Sequence, residues 1–349
     1  MRAHSLVAIP VVAILIGLPG STTPAADDGK RNVNGTIWVA NRGSDSIQGW
    51  DASTGDVVGS IAMRTGSQPG DLVSANGKLY VAEERATQPA VAIVDPGSGQ
   101  IKRILFATGS RPHHVHASAS GELVAVSLYG TDRVAVIETE NDTLLGEWDS
   151  NPSTTNGRVH AGVFSQDGET LYLLSDTTGQ LIVMASRTGT VLWSMDVPGA
   201  HEMVVSHNSK TAFVSRRTLN QVAVVDLENH TYDDVLAILS PDTLRLSANE
   251  KLLTVGLRTS PARLAVVDTE TFAVQLVDLA PPNTGTTTGG HQWTTPNGQY
   301  TFASYEGTTS DSAPRAGLAV IDHRAGNEVV QRLSYPGAPH GVTHVPPQE

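Results

Sequence analysis

From Gly35 onward, short apolar runs alternate with turns rich in Gly, Asn, Asp and Ser, and no amphipathic helical period interrupts them. One run recurs nearly unchanged: Val-Ala-Ile-Val-Asp95, Val-Ala-Val-Ile-Glu138, Val-Ala-Val-Val-Asp226, Leu-Ala-Val-Val-Asp268 and Leu-Ala-Val-Ile-Asp322. Each ends in a carboxylate followed by a turn, where the carboxylate can accept backbone N–H bonds. A second run precedes it in each repeat: Ile-Trp-Val-Ala40, Leu-Tyr-Val-Ala82, Leu-Tyr-Leu-Leu174, Ala-Phe-Val-Ser215.

The period is roughly 40 to 45 residues with four strands each, the spacing of propeller blades. Blades 2 to 7 are expected to start near Ser67, Ser110, Asn156, Pro198, Ser240 and Thr286. The first repeat lacks its opening strand, and the chain ends on a strand-like segment, Pro-Gly-Ala-Pro-His-Gly-Val-Thr-His-Val345, that has no repeat of its own. Joining the two would close a ring of seven and remove two exposed sheet edges. The expected organisation is a signal peptide over 1–26, a flexible lead-in over 27–34, and an all-β seven-bladed propeller over 35–349. The signal reading rests on Arg2, the apolar stretch from Leu6 to Leu18 and the small residues ending at Ala26. It predicts an extracytoplasmic protein with no stable membrane insertion, since the apolar stretch is too short to span.

Composition narrows the chemistry. The formal net charge of −12 disfavours a nucleic-acid partner. The absence of cysteine excludes thiolate nucleophiles, zinc fingers, iron–sulfur clusters and disulfides. No Gly-x-Ser-x-Gly elbow, phosphate loop or His-Glu-x-x-His motif is present.

Histidines are what remain. His113, His160 and His201 each lie five residues before the serine that closes the first strand of their blade, and His340 matches if Val345 takes the serine position. Asp242 falls in the same slot, His291 is offset by one, and Pro69 occupies the slot in blade 2, which predicts no ligand from that blade. Inner strands start at the channel mouth, so imidazoles from different blades would converge there on one transition-metal ion. His114 and His116 extend the set in blade 3, although consecutive strand residues face opposite ways, so His113 and His114 can share the axis only if the strand start is frayed. The alternative for any of these rings is a bond to a nearby backbone carbonyl.

Arg-Pro-His-His-Val-His116, Lys-Leu-Tyr-Val-Ala82 and Val-Ala-Val-Val-Asp226 resemble the YVTN-type seven-bladed propeller family, over essentially all of 35–349. The resemblance implies the fold and leaves function open. The His-His-x-His run is also similar to part of the copper site of nitrous oxide reductases, whose cysteine-bearing electron-entry domain is absent here. Carotenoid-cleaving oxygenases, with four histidines around iron on a seven-bladed propeller, offer a second similarity.

The second strand of each blade should end at the same mouth, carrying Arg42, Glu84, Tyr129, Asp176, Arg217, Arg258 and Glu306. Arg217 and Arg258 suit an anionic substrate, and Asp176, Glu306 and Tyr129 suit orientation or proton transfer. Two excursions in blade 7, Pro281 to Gly290 and Gly307 to Gly317, should overhang it. The expectation is a metal-dependent oxidoreductase acting on a small molecule in the channel. Its ligands are His113, His114, His116, His160, His201, His291 and His340, holding copper or iron, with zinc as an alternative. A non-catalytic binding propeller and a metal-assisted lyase or lactonase are the competing classes.

Overall fold

The computed structural model describes residues 30–84, 87–150, 157–282, 287–307, 316–335 and 337–347. The expected signal segment lies outside the described residues, as do 283–286 and 308–315, the larger part of the two blade 7 excursions.

The described strands form seven four-stranded antiparallel sheets. Six are built from consecutive strands, opening at Pro69–Ala75, Pro112–Ala117, Val159–Phe164, Glu202–Val205, Pro241–Leu246 and Thr287–Thr294. The seventh is blade 1, in which Pro339–Val345 pairs with Thr36–Asn41, followed outward by Ser46–Asp51 and Val57–Ala62. Its register runs Thr36↔Val345, Trp38↔Thr343 and Val39↔Val342, so the expected ring closure is realised. The opening strands contact one another in ring order, from Pro69–Ala75 round to Pro339–Val345, and line the channel. Among the described residues only Arg217–Leu219 is helical, a single 3-10 turn, and no helix is long and apolar enough to cross a membrane.

Seven apolar clusters hold the ring together, one between each pair of neighbouring blades. Blades 2 and 3, for example, meet through Tyr80, Val91, Ile93, Val124, Val126 and Ile137, and blades 7 and 1 through Ile37, Val39, Trp50, Phe302 and Val320. Middle strands therefore bury both faces, which explains why they read as continuous apolar runs without alternation. Outer strands bury one face only, and Val57–Ala62 alternates accordingly.

One expectation is corrected at the N-terminal edge. Within the 27–34 lead-in, Arg31 and Val33 are packed, not loose. Val33 joins the cluster between blades 7 and 1. Arg31 Nε donates to the Ala52 carbonyl at 2.9 Å and Nη1 to Gln331 Oε1 at 2.6 Å. The segment crosses the seam of the ring, where blade edges offer acceptors and an apolar gap.

Candidate functional site

The channel-lining strands do not begin regularly. In blade 3, Pro112 pairs with Leu128 and Val115 with Val126, so His113 and His114 together oppose Ser127. This is a β-bulge, which turns two consecutive side chains the same way instead of alternating them. Thus both rings reach the axis without the fraying expected from a regular strand. The same two-for-one irregularity places Gly70 and Asp71 in blade 2, Asp242 and Thr243 in blade 6, Gly290 and His291 in blade 7, and His340 and Gly341 in blade 1. Blade 4 shifts register around His160.

Serines on the facing strands take up the displaced backbone groups. Ser127 Oγ accepts the His114 amide at 2.9 Å, and Ser304 Oγ donates to the His291 and His340 carbonyls at 3.1 and 2.6 Å. Gly341 is needed for packing: a Cβ there would lie 2.6 Å from Asp71 Oδ1 and 2.7 Å from its Cα.

The imidazoles form a continuous path. Ring centroids are separated by 4.1 Å from His340 to His291, 5.1 Å to His114, 4.6 Å to His160 and 3.8 Å to His201. His113 lies 4.4 Å from His114 and 4.9 Å from His160. Four carboxylates are threaded among them. Asp71 bonds Nδ1 of both His114 and His291, at 3.1 and 3.2 Å. Glu202 Oε1 is 3.1 Å from both His114 Nε2 and His160 Nδ1. Those approaches miss the hydrogen-bonding direction, so Glu202 Oε1 and His160 Nδ1 are buried without a hydrogen bond. Asp242 bonds His201 at 2.8 Å and Arg217 at 2.9 Å, and Glu84 bonds His113 at 2.6 Å and Arg42 at 2.7 Å.

Electrostatics follow from burial and these partners. Burial alone would push the Asp71 and Glu202 carboxyls up, but the imidazoles His291 and His114 around Asp71, and His114 and His160 around Glu202, hold both well below the usual range. The same contest leaves Glu84 at about 2, with His113 and Arg42 opposing burial, and holds Asp242 low through His201 and the nearby arginines. Burial lowers His113, His201 and His340, and brings His114 down to about 3 despite Glu202 beside it. In its neutral form His114 has a single N–H and can donate to only one of the two carboxylates it touches. Glu306 moves the other way: burial raises it, against Arg258.

Around this floor stands the expected ring. Arg42, Arg111, Tyr129, Asp176, Arg217 and Arg258 line a mouth cavity of about 220 Å³ together with the histidines. Tyr129 donates to Asp176 Oδ2 at 3.1 Å, while Asp176 Oδ1 is buried without a partner. Arg258 Nη1 and His340 Nε2 each stand 3.8 Å from Glu306 Oε1. So the structure assembles Arg217, Arg258, Asp176, Glu306 and Tyr129 at one mouth with His113, His114, His160, His201, His291 and His340.

His116 is the exception. It resumes the alternation after the bulge, and its ring, 6.2 Å from that of His114, lines the opposite end of the channel with Arg245 and Trp293. Neither it nor His340, whose Nδ1 lies 2.9 Å from the Gly70 carbonyl oxygen, belongs to a group able to share an ion. Blade 2 departs in the opposite sense, since it does supply a ligand-type residue. Its hairpin is a tight Asn76-Gly77 turn closed by Ala75↔Lys78, whereas Ser118 and Ser165 close longer turns by accepting the amide five residues on. Counting back from Ser74 is therefore one residue out of step. Counted from the proline that opens each strand, Asp71 is the equivalent of His114. Glu202 was legible only as the neighbour of His201.

Three groups bring ligand atoms within 4.8 Å of one another: His113, His114 and His160; Asp71, His114 and His291; His160, Asp176 and His201. The donors fit a first-row divalent cation, with Glu202 Oε1 and His160 Nδ1 facing each other at 3.1 Å without a well-directed hydrogen bond. One of these groups, His113, His114 and His160, is imidazole-only, as the copper expectation required, whereas the other two each add a carboxylate, Asp71 or Asp176.

Comparison with known proteins agrees with this architecture. The protein YncE of Salmonella typhi is 24% identical over 247 residues, covering 65% of this chain and 67% of its own. Among solved structures, the periplasmic gluconolactonase PpgL of Pseudomonas aeruginosa superposes with a TM-score of 0.66 at 18% identity, covering 89% of this chain and 99% of that one. A putative 6-phosphogluconolactonase of Bacteroides fragilis gives 0.65 at 14% identity, with 93% and 100% covered. These identities speak to the fold alone. The model of the lactonase family, "Lactonase, 7-bladed beta-propeller", matches residues 105–281, just over half of the 349. With that span matched and every blade in place, the chain belongs to the lactonase seven-bladed β-propeller family.

Proposed function

We propose that this protein is an extracytoplasmic hydrolase that opens a small anionic lactone at the arginine-lined mouth, assisted by a divalent metal held among the imidazoles and carboxylates below. One observation carries the reading. Asp71 and Glu202 are buried carboxylates whose contacts, among the described residues, are imidazoles and a backbone amide, with no guanidinium or ammonium bonded to either. Buried negative charge of this kind calls for a cation. Membership of a lactonase family supports this choice of reaction class, and likeness to a periplasmic gluconolactonase agrees with the export-like N-terminal segment.

Hydrolysis of a lactone adds water to the acyl carbon and breaks its bond to the ring oxygen. One proton leaves the water for a base, another reaches the departing oxygen, and no electrons are transferred. A bound cation supplies Lewis-acid polarisation of the acyl oxygen. Glu306 receives the water proton: its Oε1 is buried without a hydrogen bond, and burial raises its affinity for a proton. Arg258, 3.8 Å from that carboxylate, and Arg217 hold the anionic substituent of the substrate. Tyr129 fixes Asp176 beside His160 and His201. Mixed nitrogen and oxygen donors suit zinc, iron(II) or manganese as well as copper.

A redox reaction at iron is the second reading, favoured by one group: Asp71, His114 and His291 are two imidazoles and a carboxylate, the donor set of many non-haem iron oxygenases. The test uses chelator-treated full chain reloaded with zinc, manganese or iron(II), assayed by pH-stat on glucono-δ-lactone and its phosphorylated counterpart. Hydrolysis well above the spontaneous rate, lost with chelator and restored by metal, is expected. Arg258→Ala should raise KM for the phosphorylated lactone more than for the neutral one. No acceleration with any metal overturns the proposal, and oxygen uptake by the iron-loaded protein would put the redox reading in its place.

A further inference from the structure

We infer that the channel holds two divalent cations side by side, with Glu202 between them; this rests on the metal reading above and sharpens it. The three ion-competent groups cannot all be filled at once, since His114 and His160 each occur twice. Two of them share no residue: Asp71, His114 and His291 on one side, His160, Asp176 and His201 on the other. Each contains a close imidazole pair. His114 and His291 stack 5.1 Å apart at 13°, and His160 and His201 lie 3.8 Å apart. Each contains one carboxylate, so each is a complete two-nitrogen, one-oxygen set for a first-row cation.

The residue left over is Glu202. It is 1% exposed, and its Oε1 stands 3.1 Å from a nitrogen of each set, His114 Nε2 and His160 Nδ1. It makes no hydrogen bond there, and neither does His160 Nδ1. A carboxylate oxygen equidistant from two ligand sets, buried and without a donor, is placed to be shared between two ions. His113 belongs to neither set, and its Nδ1 is bonded to Glu84. A single ion at His113, His114 and His160 would instead leave Asp71 with His291, and Asp176 with His201, as incomplete remnants on either side.

Metal content tests the inference independently of turnover. Full chain without a histidine tag is stripped with chelator, loaded with zinc or cobalt(II), passed through a desalting column and analysed by elemental mass spectrometry. Two equivalents per chain are expected, with Asp176→Asn retaining one and Asp71→Asn retaining the other. Glu202→Gln should weaken binding at least about tenfold, the effect of removing a carboxylate that organises metal ligands. One equivalent in the unaltered protein overturns the pair while leaving the single-metal hydrolase standing. None overturns both. The wild-type count decides the question even if Asp71→Asn fails to fold, and cobalt(II) absorbance growing in one step or two reports the same number by a second route.

Discussion

Carboxylates occupy two very different stations in the blades, and the contrast sets the channel apart from the outer turns. At the outer turns, Asp51, Asp95, Asp226 and Asp268 each close a third strand and accept the amides two and three residues on, at 2.7 to 3.0 Å. Their bonds are local and largely exposed. Turn bonds depress these groups, the Ser53 hydroxyl first for Asp51 and backbone amides first for Asp95 and Asp268. At the inner ends, Asp71, Glu202 and Asp242 are buried, and they are held low by imidazoles and arginines from other blades. The first set completes turns. The second set concentrates buried negative charge in the channel, the feature on which the proposed site rests.

The sharpest way to break this contrast is Asp71→Ala. Removing the shared acceptor leaves Nδ1 of His114 and His291 buried without it, and unfolding free energy should fall by about 3 kcal/mol. Metal content should drop as well; unchanged stability in a urea titration would show that Asp71 is not an anchor. Glu306→Gln comes next. Loss of a proton acceptor should lower kcat/KM by about 100-fold, while Tm rises. The sign follows from the raised pKa: the folded state disfavours ionised Glu306, so its charge costs stability as pH climbs through the window above its ordinary value. In the unaltered protein the same group should switch activity off as pH falls through that raised value, and an acid limb surviving in Glu306→Gln would assign it elsewhere.

Acidification should act on both sets, on a smaller scale. Both are depressed in the folded state, so their stabilisation is complete above the ordinary carboxylate range and is lost as pH falls through the lowered values. The thermal midpoint should hold steady down to mildly acidic pH and decline below about pH 4. The smallest effect is expected from Asp51→Ala, a drop in Tm of about 2 °C with metal content and activity intact. Loss of metal in that variant would erase the distinction between turn and channel carboxylates.

Much of this site is readable in one dimension, and what is not has a definite cause. His113, His160, His201 and His340 announce themselves because a repeat puts them in register. Asp71 does not, because the tight Asn76-Gly77 hairpin shortens its strand by a residue and shifts the count. Glu202 reads as a strand residue pointing away from His201, although it reaches across to His114 and His160 in two other blades. His116 reads as a third member of a ligand run, yet regular alternation after the bulge sends it to the far end of the channel.

Local patterning alone specified the strands, their number per blade, the seven repeats and the strand exchange that joins the ends. Those features depend on apolar period and turn chemistry within about ten residues. The ligand geometry had to wait for tertiary structure. Bulges arise only when a strand is paired with its neighbour, and the decisive contacts, such as His291 with Asp71 across 220 positions, exist only once the ring has closed.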